Sequence, residues 1–141
     1  MNPCIFCEIL TGKAPASFVH KQESCVAFLD IGAINPCHTL VVPTRHATSL
    51  ADLPPEDGAA LFSAAQRIAG AIRASPLRCE GVNLLLSDGA VAGQEVFHVH
   101  LHVLPRFAGD GFGFSLPKGR SRPGREDLDE TAHRIRECLS P

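Results

Sequence analysis

The chain has 141 residues, a length that suits a single domain able to bury a hydrophobic core of its own. Hydrophobic residues make up 45% and charged residues 20% of it, as in an ordinary globular protein, and no apolar run approaches the roughly 20 residues that cross a bilayer. The formal net charge of −2 gives no electrostatic basis for non-specific binding to nucleic acid. The first ten residues lack the basic start and the long apolar stretch of a signal peptide, so we expect a cytoplasmic protein without a membrane segment.

The first half of the chain predicts a short helix followed by three strands. Residues 3–11 carry apolar side chains at helical spacing, and Gly12 is placed to end the helix. Two apolar runs, residues 17–21 and 24–31, are typical of strands joined by a tight polar turn. The β-branched content of residues 38–43 predicts a third strand.

The longest predicted element is a helix in the middle of the chain. Pro54 and Pro55 introduce it, and Pro76 closes it. Apolar residues recur in it at spacings of three and four, which predicts one buried stripe. The stripe consists of Leu61, Phe62, Ala65, Ile68, Ala69 and Ile72.

Two strands, a long loop and a second helix are expected to follow. Residues 81–86 and 96–104 are predicted strands on either side of the glycine-rich loop 87–93. Residues 107–126 are rich in Gly and Arg and lack periodicity, so we expect a flexible loop. The helix is predicted for residues 125–139. Strands in succession with two inserted helices indicate an antiparallel α+β fold in one domain, residues 1–141.

The six cysteines are expected to be reduced thiols or metal ligands rather than a disulfide framework, because no export signal accompanies them. Cys4 and Cys7 have the C-x-x-C spacing that lets two thiolates face one point. The other cysteines are scattered and are expected to be small buried hydrophobes or bystanders. They are Cys25, Cys37, Cys79 and Cys138.

Three histidines alternate with aliphatic residues in VFHVHLHVLPR, residues 96–106. In a strand, His98, His100 and His102 would share one face, with the outer Cα atoms about 13 Å apart. All three rings could then not bind one zinc ion, although two neighbours could. The alternative is a row of solvated imidazoles without a chemical role. Imidazole titrates near pH 6.5, so a nucleophile and a proton donor can coexist in this row, which favours transfer of a phosphorus group through a covalent histidine.

The stretch GQEVFHVHLHV, residues 93–103, resembles the H-φ-H-φ-H-φ-φ signature of the histidine-triad (HIT) family of nucleotide hydrolases and transferases, in which φ is an apolar residue. The similarity continues in CIFCEI near the start, in VAFLDI at residues 26–31, in PCHTLVVPTRH at residues 36–46 and in GVNLLLSDG at residues 81–89. The resemblance implies a five-stranded antiparallel sheet with two main helices. It also implies a homodimer whose two sheets join edge to edge.

The same resemblance implies an activity. Family enzymes attack the α-phosphate of an adenosine phosphoramidate, a nucleotidyl acyl phosphate or a dinucleoside polyphosphate, and release a nucleoside monophosphate through a nucleotidyl-histidine intermediate. The family nucleophile matches His100, and the histidine that hydrogen-bonds the nucleophile and fixes its tautomer matches His38. His102 would donate to the phosphate oxygens. The expected partner is therefore a purine nucleotide.

The implied nucleotide pocket combines apolar side chains, a ribose-binding carboxylate and the segment that precedes the histidines. Its apolar members would also suit an ordinary core. Gln94 is expected to contact the phosphate, and Asp30 is expected to accept hydrogen bonds from the ribose hydroxyls. The full set is Ile5, Phe6, Ile9, Phe28, Asp30, Ile31, Ser87, Gly93, Gln94, Glu95 and Val96.

Two pocket positions depart from the family pattern. Ser87 stands where many members have an asparagine. Glu95 replaces a Ser or Thr that some members place beside the leaving group, and a carboxylate there would repel a phosphate. We therefore expect Glu95 to point to solvent or to act on a proton, and the leaving-group preference of the family cannot be transferred to this chain.

Some bacterial members with an N-terminal C-x-x-C bind a structural zinc ion, which is the cofactor that the resemblance implies. The matching ligands here are Cys4, Cys7, His46 and His98. Two thiolates and two imidazoles form a closed tetrahedral set with no position left for water. His98 would then serve the metal, and His100 would remain free to react.

Two other functions are alternatives to a hydrolase. A nucleotidyltransferase of the related uridylyltransferase branch would have Gln at the third signature position, and His102 argues against it. A protein that senses nucleotides with little turnover would bind a nucleoside monophosphate without hydrolysing a phosphoramidate.

Overall fold

The structure is a computed structural model, and it describes residues 3–139. The remaining residues of the predicted domain, 1, 2, 140 and 141, lie outside the described range. Within residues 3–139, no helix combines the length and the apolar character that a bilayer crossing requires.

Five strands form one antiparallel sheet in the order β1-β2-β3-β5-β4. The strands are β1 Phe18–Lys21, β2 Cys25–Leu29, β3 Thr39–Pro43, β4 Gly81–Leu86 and β5 Leu101–Arg106. β3 lies between β2 and β5, with Thr39 opposite Leu29 on one side and opposite Val103 on the other. This arrangement confirms the predicted α+β fold with a five-stranded antiparallel sheet.

Three helices accompany the sheet: α1 Ile5–Leu10, α2 Pro55–Ala74 and α3 Arg125–Cys138. α2 begins with a proline in its first turn, where the missing N–H costs no hydrogen bond. Most of its predicted stripe is buried. Phe62 is the exception at 58% exposure, because it lies about 100° around the helix from the buried Leu61, and Ala64 is buried instead.

The two faces of the sheet have different coverings, which follows from the alternation of side chains along each strand. One face packs against α2 and contains Ala27, Val41, Val99, Leu101 and Val103. The other face packs against α1 through a second cluster. That cluster contains Phe6, Ile9, Val26, Phe28, Leu40 and Val42. β2 and β3 contribute to both clusters, which explains their almost continuous apolar sequences.

The last strand begins later than predicted. A strand was expected from residue 96, but β5 begins at Leu101 and ends at Arg106. The segment 96–100 is held outside the sheet ladder, where the Val99 N–H donates to the Ala47 carbonyl at 2.8 Å. Continuing the register of β3 and β5 would put Pro43 opposite Val99, and Pro43 has no N–H to extend the ladder. The alternation of faces nevertheless holds, because Val99, Leu101 and Val103 all lie in the cluster under α2.

The predicted flexible loop 107–126 is anchored at its beginning. Asp110 accepts a paired hydrogen bond from the Arg106 guanidinium, with N–O distances of 2.6 and 2.9 Å, and a further one from the Asn35 amide at 2.8 Å. The Arg106 guanidinium holds the pKa of the Asp110 carboxyl well below its usual range. Residues 107–112 are therefore fixed to the end of β5, and regular structure resumes only at α3.

Candidate active site

A cavity of about 620 Å³ lies on the sheet face that α1 covers. Most of the predicted pocket residues line it: Ile5, Phe6, Ile9, Phe28, Asp30, Ile31, Ser87, Gly93, Glu95 and Val96, together with His100 and His102. Sequence reasoning missed a further part of the wall, made of Ala14, Pro15, Ala16, Leu29, Leu40 and Leu85. These residues are small or aliphatic and carry no reactive group, so nothing in the sequence distinguishes them from ordinary core residues.

His100 is buried, and one of its ring nitrogens is already committed. Its Nδ1 lies 2.8 Å from the carbonyl oxygen of His98. A carbonyl can only accept, so Nδ1 carries the proton and the lone pair is on Nε2. Neutral imidazole in this tautomer offers a nucleophilic nitrogen to the cavity that the residue lines.

His38 does not hydrogen-bond His100, contrary to what the resemblance implied. Its Nε2 lies 2.8 Å from Nδ1 of His102, and its Nδ1 accepts the backbone N–H of Ile34 at 3.1 Å. Because Nδ1 of His38 accepts, Nε2 of His38 must donate, which leaves the only proton of neutral His102 on Nε2. The tautomer of His100 is instead fixed by the backbone of His98, which no side-chain motif reveals.

The positions of His38 and His102 keep both rings neutral. Burial, followed by the neighbouring charges of His100 and His38, lowers the pKa of His102 to about 4. Burial also lowers the pKa of His38, although the Asp30 carboxylate opposes this effect. At neutral pH His102 is therefore a neutral donor, and its Nε2–H is available to an oxygen in the cavity.

His38 directly follows a turn with left-handed backbone conformation. Cys37, which precedes it, has a φ of 71°, a conformation that few residues other than glycine adopt. The turn is stabilised by Thr39, whose hydroxyl donates to the Cys37 carbonyl at 2.8 Å. The strain is thus local and lies directly beside the histidine pair.

Asp30 lines the cavity just beyond the end of β2. One of its carboxylate oxygens accepts the Gly32 N–H at 2.8 Å. The other lies 3.6 Å from Nε2 of His38, too far for a hydrogen bond. That second oxygen can therefore accept a hydrogen bond from a hydroxyl group in the cavity.

Gln94 has a different position from the predicted one, because its side chain is buried and does not line the cavity. Its Oε1 accepts the Gly89 N–H at 2.8 Å, and its Nε2 donates to the carbonyls of Thr48 and Val96 at 2.9 and 3.2 Å. These bonds use the amide to hold the loop between β4 and β5. Gln94 therefore positions the backbone of the cavity wall without contacting the cavity itself.

A second group of side chains lies under α1 and suits a metal ion. The ligand atoms of Cys4, Cys7, His46 and His98 all lie within 4.8 Å of one another. Three of the sulfur–nitrogen distances are 3.3, 3.5 and 3.6 Å, and the two Nδ1 atoms are 3.3 Å apart. Tetrahedral zinc with bonds of about 2.1 Å to nitrogen and 2.3 Å to sulfur separates its ligands by about 3.3 to 3.8 Å. The four residues thus fit zinc in both chemistry and spacing.

The protonation of His98 agrees with a metal-binding role. Its Nε2 lies 2.9 Å from the Pro43 carbonyl, so Nε2 donates and Nδ1, which faces the cysteines, has the free lone pair. Burial lowers the pKa of His98, which also favours the neutral ring that a metal requires. An imidazole oriented through its second nitrogen is typical of metal ligands.

The comparisons with known proteins show that the chain belongs to the HIT family. The HIT domain model matches residues 11–109. A HIT-like protein of Mycobacterium tuberculosis is 42% identical over 98% of this chain and 94% of its own length. The crystal structure of a HIT family protein from Bacillus anthracis is 38% identical, covers 99% of both chains and has a TM-score of 0.91.

Three further relatives have names that state a ligand or an activity. The structure of a zinc-bound histidine triad family protein from Mycobacterium smegmatis is 39% identical over 96% of this chain and 97% of its own, with a TM-score of 0.76. A histidine triad nucleotide-binding protein from Candida albicans is 26% identical over 96% of both chains, with a TM-score of 0.85. An adenylylsulfatase of Arabidopsis thaliana is 35% identical over 74% of this chain and 53% of its own length.

Proposed function

We propose that this protein is a nucleotide hydrolase that cleaves adenosine phosphoramidates or dinucleoside polyphosphates at the α-phosphate through His100. The observation that carries this proposal is the Nδ1 hydrogen bond of His100 to the His98 carbonyl, which leaves Nε2 as the nucleophile inside a cavity. Family relatives named as a nucleotide-binding protein and as an adenylylsulfatase support a nucleotide substrate and a hydrolytic reaction.

The purine nucleoside is placed in the apolar part of the cavity. Phe6 and Phe28 pack edge to face there, with ring centroids 5.5 Å apart, and offer flat apolar surface to a base. Asp30 is proposed to accept hydrogen bonds from the ribose through the oxygen that Gly32 does not use. The Phe6 ring also lies 5.2 Å from the His100 ring, so a nucleoside held there has its α-phosphate close to the nucleophile.

The reaction is proposed to proceed in two displacements at phosphorus. In the first, the Nε2 lone pair of His100 forms a bond to the α-phosphorus, and the leaving group departs with the electrons of its own bond and takes a proton from water at the cavity mouth. In the second, a water molecule attacks the same phosphorus, loses a proton to solvent and displaces His100. The Nε2–H of His102 donates to a phosphate oxygen throughout, which stabilises developing negative charge.

Zinc is proposed as the resident metal of Cys4, Cys7, His46 and His98. The spacing of their ligand atoms and the zinc-bound relative support this choice. The ion would supply a structural cross-link and no reacting group, because the protein provides all four ligands.

A homodimer is proposed as the assembled form. β4 lies at an edge of the sheet and carries neither a charged residue nor a proline. Such an edge is an available template for pairing with another strand.

The proposal is tested by trapping the intermediate on His100. The protein is mixed with a labelled adenosine phosphoramidate and denatured in alkali, since acid hydrolyses the phosphorus–nitrogen bond of a modified histidine. We expect label on the wild-type chain and none on His100→Asn, whose turnover should fall by about 10³-fold or more. His133→Asn, on the exposed helix α3, is the matched control and should keep both label and turnover. Label on His100→Asn, or turnover that survives the change, would contradict the proposal.

A further inference from the structure

Glu95 is a cavity-lining carboxylate whose charge has no counterpart nearby. It lines the cavity together with Gly93 and Val96, and its side chain is exposed. Among residues 3–139, no Lys, Arg or His forms an ion pair with it. Its negative charge is therefore available to whatever occupies that part of the cavity.

The charges around the cavity are of one sign. Of the described residues that line it, Asp30 and Glu95 are the acidic members, and none is a Lys or Arg. The arginines of the loop before α3, Arg120 and Arg122, do not contribute to the wall. Protein sites for chains of phosphates usually supply cations, because each added phosphate brings further negative charge.

Asp30 and Glu95 belong to parts of the cavity wall that come from different strands of the sheet. Asp30 follows β2, whereas Glu95 comes two residues after Gly93, where a Cβ would lie 3.9 Å from the hydroxyl oxygen of Ser87 at the end of β4. In the strand order β1-β2-β3-β5-β4, β5 with His102 separates the β2 side from the β4 side. A nucleoside held beside Phe28 and Asp30, with its α-phosphate at the histidines, can therefore extend its leaving group along the cavity wall toward Glu95.

We propose that Glu95 selects the leaving group by charge. The preferred substrates are nucleoside phosphoramidates in which the amine part of the molecule carries a separate, positively charged group. Leaving groups with negative charge, polyphosphates among them, are disfavoured. This inference rests on the proposed function, and it narrows the proposed substrates to phosphoramidates, whose leaving group is an amine. Glu95 contributes through the electrostatic field at the open end of the cavity and takes no part in bond making.

The size of the effect follows from Coulomb attraction in a solvated cleft. At a separation of about 7 Å with water-like screening, each unit of leaving-group charge is worth about threefold in kcat/KM. Substrates that differ by two charge units should then differ by about tenfold through Glu95 alone. Raising sodium chloride from about 0.05 M to about 0.5 M should reduce this difference, because the Debye length shortens.

The experiment uses three adenosine phosphoramidates of matched length, made with cadaverine, hexylamine and aminohexanoate, whose distal groups are positive, neutral and negative. Release of AMP gives kcat/KM for wild type, for Glu95→Gln and for the control Glu56→Gln, an exposed carboxylate in the first turn of α2. We expect wild type and the control to prefer the cationic substrate. Glu95→Gln should lower the ratio of cationic to anionic kcat/KM by about tenfold while the neutral substrate changes little.

A ratio that is the same in Glu95→Gln and wild type, with hydrolysis intact, would overturn the role of Glu95 and leave the proposed function standing. A wild-type preference for the anionic substrate would do the same. Absence of AMP release from all three substrates with wild type would instead overturn the proposed function, and the inference with it.

Discussion

His98 serves both parts of the site through two different groups. Its ring nitrogen Nδ1 faces the cysteines, with Sγ of Cys4 at 3.5 Å, while its backbone carbonyl accepts the Nδ1 proton of His100. Fixing the His98 ring therefore also fixes the carbonyl that sets the tautomer of His100, the proposed nucleophile. His102 depends on its neighbours in a similar way, because His38 determines which of its nitrogens carries the proton.

The neutral state of His102 predicts a stability that depends on pH. Its pKa is about 4 in the folded chain, against about 6.5 when unfolded, so the unfolded state binds more protons between these values. The contribution of His102 to the free energy of unfolding is then fully present above pH 6.5. It falls by about 2–3 kcal/mol as the pH decreases to 4. Urea unfolding between pH 7 and pH 4 checks this, with chelator present throughout so that metal release does not contribute.

His102→Asn is the control for this measurement, since it retains a polar side chain that does not titrate. The variant should lose less stability than wild type over the same pH range, whatever its stability at pH 7. Equal losses in the two proteins would show that His102 is not the group responsible.

At the scale of elements, α1 connects the metal-ligand cluster to the cavity in which a nucleotide is proposed to bind. This helix has six residues, too few to be stable without tertiary contacts. It is held by the burial of Phe6 and Ile9 and by the position of Cys4 and Cys7 against His98. Because Phe6 and Ile9 also line the cavity, whatever fixes α1 also fixes the cavity wall.

Removing zinc should therefore loosen α1 and weaken nucleotide binding while the sheet stays folded. Treatment with a chelator is expected to increase amide hydrogen exchange in α1 and to raise the Kd for AMP several-fold, about 1 kcal/mol. The amides of β2 and β3 should remain protected, since their cluster with α2 does not involve the metal. Hydrogen exchange read by mass spectrometry, together with calorimetry, measures both effects.

The double variant Cys4→Ser, Cys7→Ser is the control and should behave like the chelated wild type with or without chelator. If exchange in α1 is the same with and without zinc in the wild-type chain, the metal does not hold the helix.

At the scale of the whole molecule, the two edges of the sheet differ in how they are protected. β1 has four residues, a register shift between Phe18 and His20, and a lysine at position 21, which are features that prevent pairing at an edge. β4 has six residues and none of these features. The proposed homodimer is therefore expected to form at β4.

Leu84→Lys tests this assignment, because it places a charge on the β4 edge at a leucine that is 38% exposed. We expect wild type to have twice the mass of the chain in analytical ultracentrifugation and Leu84→Lys to shift toward the monomer. Val19→Lys, on the other edge strand, is the matched control and should remain a dimer. A wild-type monomer, or a dimer that Val19→Lys disrupts and Leu84→Lys does not, would contradict the assignment.

The sequence alone predicted most of the helices and strands, most of the residues that line the cavity and the four residues of the metal-ligand cluster. The spacing of apolar residues predicted α2 and the first four strands. Burial on one or two faces of an element gives its apolar residues a regular period in the sequence. The signature residues and the C-x-x-C spacing indicated the chemistry, since imidazoles and thiols are rare and reactive. The start of β5 was missed, because pairing partners, and not the alternation of side chains, decide where a ladder begins.

Only the tertiary structure decided how the site residues are connected. The carbonyls of His98 and Pro43 and the N–H of Ile34 fix three tautomers, and every residue has such backbone groups, so a sequence cannot indicate which ones are used. The strand order separated the β2 strand, which Asp30 follows, from the β4 strand, whose end lies beside the segment of Glu95, a relation between segments that are far apart in the chain. Residue types thus determined which chemical groups are available, and the packing of distant segments decided which of their nitrogen atoms carries a proton and which has a free lone pair.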